Sequence, residues 1–116
     1  MFVCIPDYTL FHFYPRFALL SNAKICLTSN VMSMTTVTVA DSHLRFWREK
    51  MVPICICTDD KGLMGCDLSG EFRKASEAFN LSIDDLRRMS KDALEMSFLD
   101  KSSVEYKQLD ELLARC

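Results

Sequence analysis

Glycine and proline are scarce in this chain, at three residues each. That scarcity argues against a loop-rich domain held by disulfides, although the chain has six cysteines. Charge of one sign is also missing. The net charge of -2 gives no electrostatic pull toward nucleic acid or an anionic membrane. No uninterrupted apolar run reaches the roughly twenty residues a bilayer-spanning helix needs, because Pro6, Asp7, His12, Pro15 and Arg16 break up the apolar start. That start also lacks the basic segment and small-residue cleavage site of a secretory signal. Internal repeats and low-complexity linkers are absent.

At 116 residues the chain is long enough for one compact domain and too short for two. It is 49% hydrophobic and 26% charged, which fits an ordinary soluble protein. Residues 67–116 carry a balance of -3 against +1 for residues 1–66, so the second half reads as solvated helical surface. Four of the six cysteines follow apolar or β-branched neighbours, where thiols behave as small core residues. Reduced thiols and a cytoplasmic location are the expectation.

Lys24-Ile25-Cys26-Leu27-Thr28-Ser29-Asn30-Val31 reads as a buried strand ending in polar residues. Residues 35–39 read as a further strand or an extended loop. Asp41 or Ser42 caps a short helix over 43–50, with Leu44 and Trp47 on one face. Residues 52–59 form a second buried strand, followed by a glycine-containing loop to Leu68. Ser69 caps a helix near 70–79. Ser82 with Asp85, and Ser102 with Glu105, are capping boxes that open two further helices. Strands alternating with helices, and buried on both faces, predict α/β architecture with a parallel sheet. In such folds chemistry sits at the carboxyl ends of the strands, where Asn30 and Asp59-Asp60 are expected.

The most informative element is Cys57-Thr58-Asp59-Asp60-Lys61-Gly62 at the end of the apolar run Val52-Pro53-Ile54-Cys55-Ile56. A carboxylate leaving a buried strand is costly unless it meets a cation, a metal or good donors. Alternation puts Cys55, Cys57 and Asp59 on one side, whereas Asp60 begins the loop and points elsewhere. Two directions suit two tasks.

From about Lys24 onward the chain resembles the C-terminal part of the adenosine deaminase superfamily, and most of all its adenosine deaminase-like branch, which acts on N6-methyl-AMP. The resemblance rests on Cys26-Leu27-Thr28-Ser29-Asn30-Val31, on His43 with Phe46-Trp47, and on Cys57-Thr58-Asp59-Asp60-Lys61-Gly62. Leu68-Ser69-x-Glu71-Phe72 and Ala75-x-Glu77-x-Phe79-Asn80-Leu81-Ser82 complete it. It implies an α/β fold: the last two β/α units of a (β/α)8 TIM-type barrel plus C-terminal helices, with the barrel incomplete. Residues 1–22 are then an unmatched N-terminal segment, and 23–116 the C-terminal part of a metal-dependent deaminase domain. It further implies that Asp59 is a Zn²⁺ ligand and that Asp60 hydrogen-bonds a purine nucleoside or nucleotide. Zinc would lower the pKa of a bound water, and the resulting hydroxide would attack C6 of the purine and displace the amine.

The chain departs from the family pattern in lacking the His-x-His pair, the later zinc histidine, the catalytic Glu and the water-orienting His. His12 and His43 are its only histidines, and neither matches a zinc ligand. No catalytic residue is therefore assigned here, and the segment alone is expected to be inactive. A truncated isoform or an incomplete gene model would account for it, with association through exposed barrel strands. Nucleic acid and membrane are not expected partners. The competing expectation is a noncatalytic α/β interaction or regulatory module that uses the helices near 82–98 and 103–116. Asp59-Asp60 alone also fits a solvated loop pair, and Cys55-x-Cys57 fits core packing more simply than a metal or redox pair. Ser29-Asn30 fits either substrate contact or a strand cap.

Overall fold

The computed structural model describes residues 22–116. His12 and the segment 1–21 lie outside the described residues.

Two short strands form the centre. β1 (Ala23–Ile25) and β2 (Ile54–Ile56) pair in parallel, with Ala23 opposite Ile54, Lys24 opposite Cys55 and Ile25 opposite Ile56. Ala23 N–H donates to the Pro53 carbonyl at 2.9 Å, and Cys57 N–H donates to the Ile25 carbonyl at 2.9 Å, so the ladder extends past both ends. The period of two sorts the side chains. Ala23, Ile25, Ile54 and Ile56 are buried, while Lys24, Cys55 and Cys57 on the opposite face are half-buried.

The first strand is much shorter than the expected 24–31. After Cys26 the chain turns into α1 (Leu27–Met32). A short apolar run fits a strand and a buried helical turn equally well. The helix wins here because a distant carboxylate, described below, supplies an acceptor for its amino end. Asn30 therefore lies in a helix and not at a strand end, which corrects the sequence expectation. Its carbonyl accepts from Thr35 and Thr36 N–H at 3.0 and 3.1 Å.

Residues 35–39 form no strand. A 3-10 turn (Val39–Asp41) follows, closed by Thr38 N–H and Oγ1 donating to Asp41 Oδ2 at 2.9 and 2.7 Å. α2 (Leu44–Glu49) buries Leu44 and Trp47 as the periodicity requires. The expected loop after β2 contains a single helical turn, α3 (Lys61–Met64), stopped by Gly65 at φ 60°, where a side chain would be strained.

α4 (Leu68–Phe79) starts at Asp67, whose Oδ1 accepts from Gly70 N–H at 2.6 Å, and not at Ser69. Asn80, left-handed at φ 50°, ends it. α5 (Ile83–Glu95) opens on the expected box, with Asp85 N–H donating to Ser82 Oγ at 3.2 Å and Ser82 N–H donating to Asp85 Oδ2 at 3.0 Å. α6 (Val104–Arg115) is capped by Ser103, because Ser102 is already held by Asp100 at 2.7 Å.

One apolar core joins these parts. Leu27, Leu44, Trp47 and Ala75 pack with the buried face of the two strands, and Leu81 and Met89 continue the cluster. Cutting a buried leucine such as Leu44 to alanine costs about 2–5 kcal/mol in such a core. The periphery is less covered. α6 buries no residue, and Phe98 is 95% exposed. Among the described residues each strand also pairs on one side only. No helix among them is long and apolar enough to cross a membrane.

Candidate functional site

The parallel pairing brings the exits of β1 and β2 side by side. Ser29, in the first turn of α1, reaches Asp59 beyond β2, and its Oγ donates to Asp59 Oδ2 at 2.8 Å. This bond joins two sequence motifs thirty residues apart. Ser29 thus holds the Asp59 carboxylate in place. Asp59 has φ 58°, a left-handed conformation that Asp tolerates better than most residues. The bend breaks strand alternation beyond Cys57.

Asp60 is exposed and caps α3: its Oδ1 accepts from Leu63 N–H at 2.9 Å. That contact fixes its position at the same strand end and leaves its other oxygen available.

The sequence reading quoted Glu71 only as part of a motif, and the structure gives it a central place. Its side chain is fully buried. Its carboxylate accepts from Thr28 N–H at 3.0 Å and from the Thr28 hydroxyl. Lys74 Nζ lies 3.2 Å from the same carboxylate and also donates to Thr28 Oγ1. Cys26, at the amino cap of α1, makes no side-chain capping bond, so Glu71 of α4 caps α1 from 43 residues away. Burial pushes the Glu71 carboxyl up, but the donors from Thr28 and the Lys74 ammonium outweigh it and hold it below 4.5. The signal in the sequence was a Glu four residues before Ala75, on the apolar stripe of an amphipathic helix. A charge there needs a partner.

Cys55 in β2 and Cys57 just beyond it carry half-buried thiols. Cys55 Sγ and Cys57 Sγ are 3.4 Å apart. Their hydrogen bond, with Lys24 nearby, lowers the Cys57 thiol to about 7, while the same bond and burial push Cys55 up.

His43 is the amino-cap residue of α2. Among the described residues no three His, Cys, Asp or Glu side chains cluster to hold a metal. As a donor set, one carboxylate does not make a zinc site, so this segment does not fit Zn²⁺ by itself. A separate cleft of about 520 Å³ opens between α2 and α5, lined by Arg45, Arg48, Asp85 and Asp92. It lies at the amino end of β2, beside Val52 and Pro53, and is distinct from the carboxylate pair.

Comparison with known proteins identifies the family. Residues 18–114 match the family model described as adenosine deaminase. An adenosine deaminase-like protein of Caenorhabditis elegans is 46% identical over 82 residues, covering 70% of this chain and 21% of that protein. The N6-methyl-AMP deaminase of Homo sapiens is 38% identical over 80 residues, covering 69% and 22%. A crystal structure of the Arabidopsis N6-mAMP deaminase superposes with a TM-score of 0.75 at 24% identity, over 83% of this chain and 28% of that one. The chain thus spans about a fifth of the curated relatives it matches. The match to the family model extends from ahead of β1 into the last turn of α6, through every element that builds the site, and on that ground the chain belongs to the adenosine deaminase family.

Proposed function

We propose that this segment is the C-terminal part of a cytoplasmic, zinc-dependent purine deaminase that removes the 6-amino or 6-alkylamino group of a nucleoside or nucleotide such as N6-methyl-AMP. On this reading β1 and β2 are the last two strands of a (β/α)8 barrel. The half-buried face of Lys24, Cys55 and Cys57 looks into the barrel, and the open strand edges meet the remaining strands. The observation that carries it is the Ser29–Asp59 hydrogen bond, which holds a carboxylate in a left-handed turn where the two parallel strands end.

Within that site Asp59 supplies one metal ligand. Ser29 donates to Oδ2, which would orient the carboxylate for a metal that the rest of the site would hold. Asp60, held by Leu63 N–H, would hydrogen-bond the purine ring. Glu71 fixes the amino end of α1 and hence the place of Ser29. The imidazole ligands and the proton-transferring acid come from outside this sequence, so no catalytic step is assigned to its residues alone.

The test is a chimera. Residues 23–116 replace the corresponding C-terminal segment of an N6-methyl-AMP deaminase, and deamination of N6-methyl-AMP is followed beside the 116-residue chain alone. Turnover in the chimera, its loss in Asp59→Ala, and no turnover by the segment alone are expected. A folded chimera that is inactive, or one indifferent to Asp59→Ala, overturns the reading.

A further inference from the structure

Glu71 holds more than a helix end. α1 has six residues, too few to be stable alone, and its amino end rests on a carboxylate from another helix. That carboxylate accepts from Thr28 N–H at 3.0 Å and from the Thr28 hydroxyl. Lys74 Nζ donates to Thr28 Oγ1, so the hydroxyl keeps its own proton for Glu71. The next residue is Ser29, whose Oγ donates to Asp59 Oδ2 at 2.8 Å. A continuous path thus runs from α4 through Thr28 and Ser29 to the acid beyond β2. Glu71 and Ser29 are both buried. Buried polar groups have little water to replace a lost partner, so a shift at one end is carried along the path. Every member belongs to this chain, and the path does not depend on surface that a completed barrel would cover.

We propose that Glu71 is a positioning residue for the proposed deamination: through Thr28 and Ser29 it sets where the Asp59 carboxylate stands, without touching substrate itself. The mechanical link belongs to this chain alone, whereas its effect on turnover rests on the deaminase reading. A misplacement of about 1 Å at a reacting centre can cost roughly 100-fold in rate. Asp60 is held separately, by Leu63 N–H, and lies off the path. Loss of the Glu71 carboxylate should therefore lower kcat and leave KM nearly unchanged.

The test has two arms. The first is NMR of the isotope-labelled 116-residue chain, in which Glu71→Gln should move the amide resonances of Ser29 and Asp59 together with that of Thr28. The second is the deaminase chimera, in which Glu71→Gln should lower kcat for N6-methyl-AMP about tenfold with KM within about twofold of the parent. Thr28→Val keeps the N–H but loses the hydroxyl and should fall part of the way, whereas Thr28→Ser keeps both donors and should keep the parent rate. Ser29→Ala cuts the path, so adding Glu71→Gln to it should lower kcat no further. Leu94→Ala, at a buried residue of α5 off the path, controls for lost stability and should keep kcat within about twofold. The proposal is overturned if Asp59 stays in place while Thr28 moves, if Glu71→Gln leaves kcat unchanged, or if the Glu71→Gln and Ser29→Ala losses multiply. A chimera inactive even with Glu71 and Asp59 intact contradicts the deaminase reading instead, and the resonances of Ser29 and Asp59 then decide the link.

Discussion

Replacing Glu71 should loosen the amino end of α1 far more than replacing its salt-bridge partner Lys74. The two differ in burial: the Glu71 side chain is fully buried, whereas 41% of the Lys74 side chain is exposed. An ion pair with a half-solvated lysine contributes little, about 1 kcal/mol or less. The Thr28 N–H and hydroxyl both donate to a buried carboxylate, and each such bond to a charged acceptor contributes about 1.5–3 kcal/mol. Glu71→Gln keeps the shape but leaves one acceptor where the carboxylate gave two, so about 2 kcal/mol should be lost. Glu71→Ala also strands the Thr28 N–H in the interior and should cost about 3–5 kcal/mol. Lys74→Met should cost about 1 kcal/mol or less. Native-state hydrogen exchange reads this directly, since 2 kcal/mol corresponds to roughly 30-fold faster exchange at the Thr28 amide. The reasoning fails if Glu71→Gln leaves that amide within threefold of the parent, or if Lys74→Met speeds it equally.

Three further outcomes follow from the same contacts. The folded Glu71 carboxyl titrates below its unfolded value of 4.5, so its stabilisation is complete above that pH and is lost as pH falls through the lower folded value; acid unfolding of Glu71→Gln should show a shallower pH dependence there. Asp59 sits at φ 58°, so Asp59→Gly should relieve backbone strain while losing the Ser29 bond, leaving urea stability within about 1 kcal/mol of the parent; a loss of several kcal/mol would show that this acid is structural. Asp60→Ala should remove the α3 cap at about 1 kcal/mol whereas Asp60→Asn, also a good cap, should be nearly neutral; equal losses would contradict the capping role.

The capping boxes and apolar periodicity made much of the helical half legible. Ser82 with Asp85 opened α5, and Leu44 and Trp47 were placed on the buried face of α2. Parallel α/β order was also readable, as two apolar runs separated by a helix. The boundary inside 24–31 was not. Thr28-Ser29-Asn30 is polar enough to end a strand, and the carboxylate that turns it into a helix lies 43 residues away. Local windows do not carry that information. The caps at Ser69 and Ser102 failed for a nearer reason: Asp67 and Ser103 competed and won, as acids and hydroxyls one or two residues apart do. Asp59-Asp60 stood out because buried strands seldom end in paired charges, and the structure adds the Ser29 hydroxyl that holds the first of them. Glu71 passed as a motif letter because helical surfaces are rich in Glu, and only packing shows that this one faces inward.

The most direct measurement is bound zinc per chain in the deaminase chimera, with Asp59 and Ser29 varied separately. One equivalent is expected in the parent, loss of tight binding in Asp59→Ala, and affinity weaker by about 10- to 100-fold in Ser29→Ala, since on the proposed reading the hydroxyl orients the ligand without touching the ion. Undiminished zinc in Asp59→Ala would contradict the claim that this acid evolved to hold the metal.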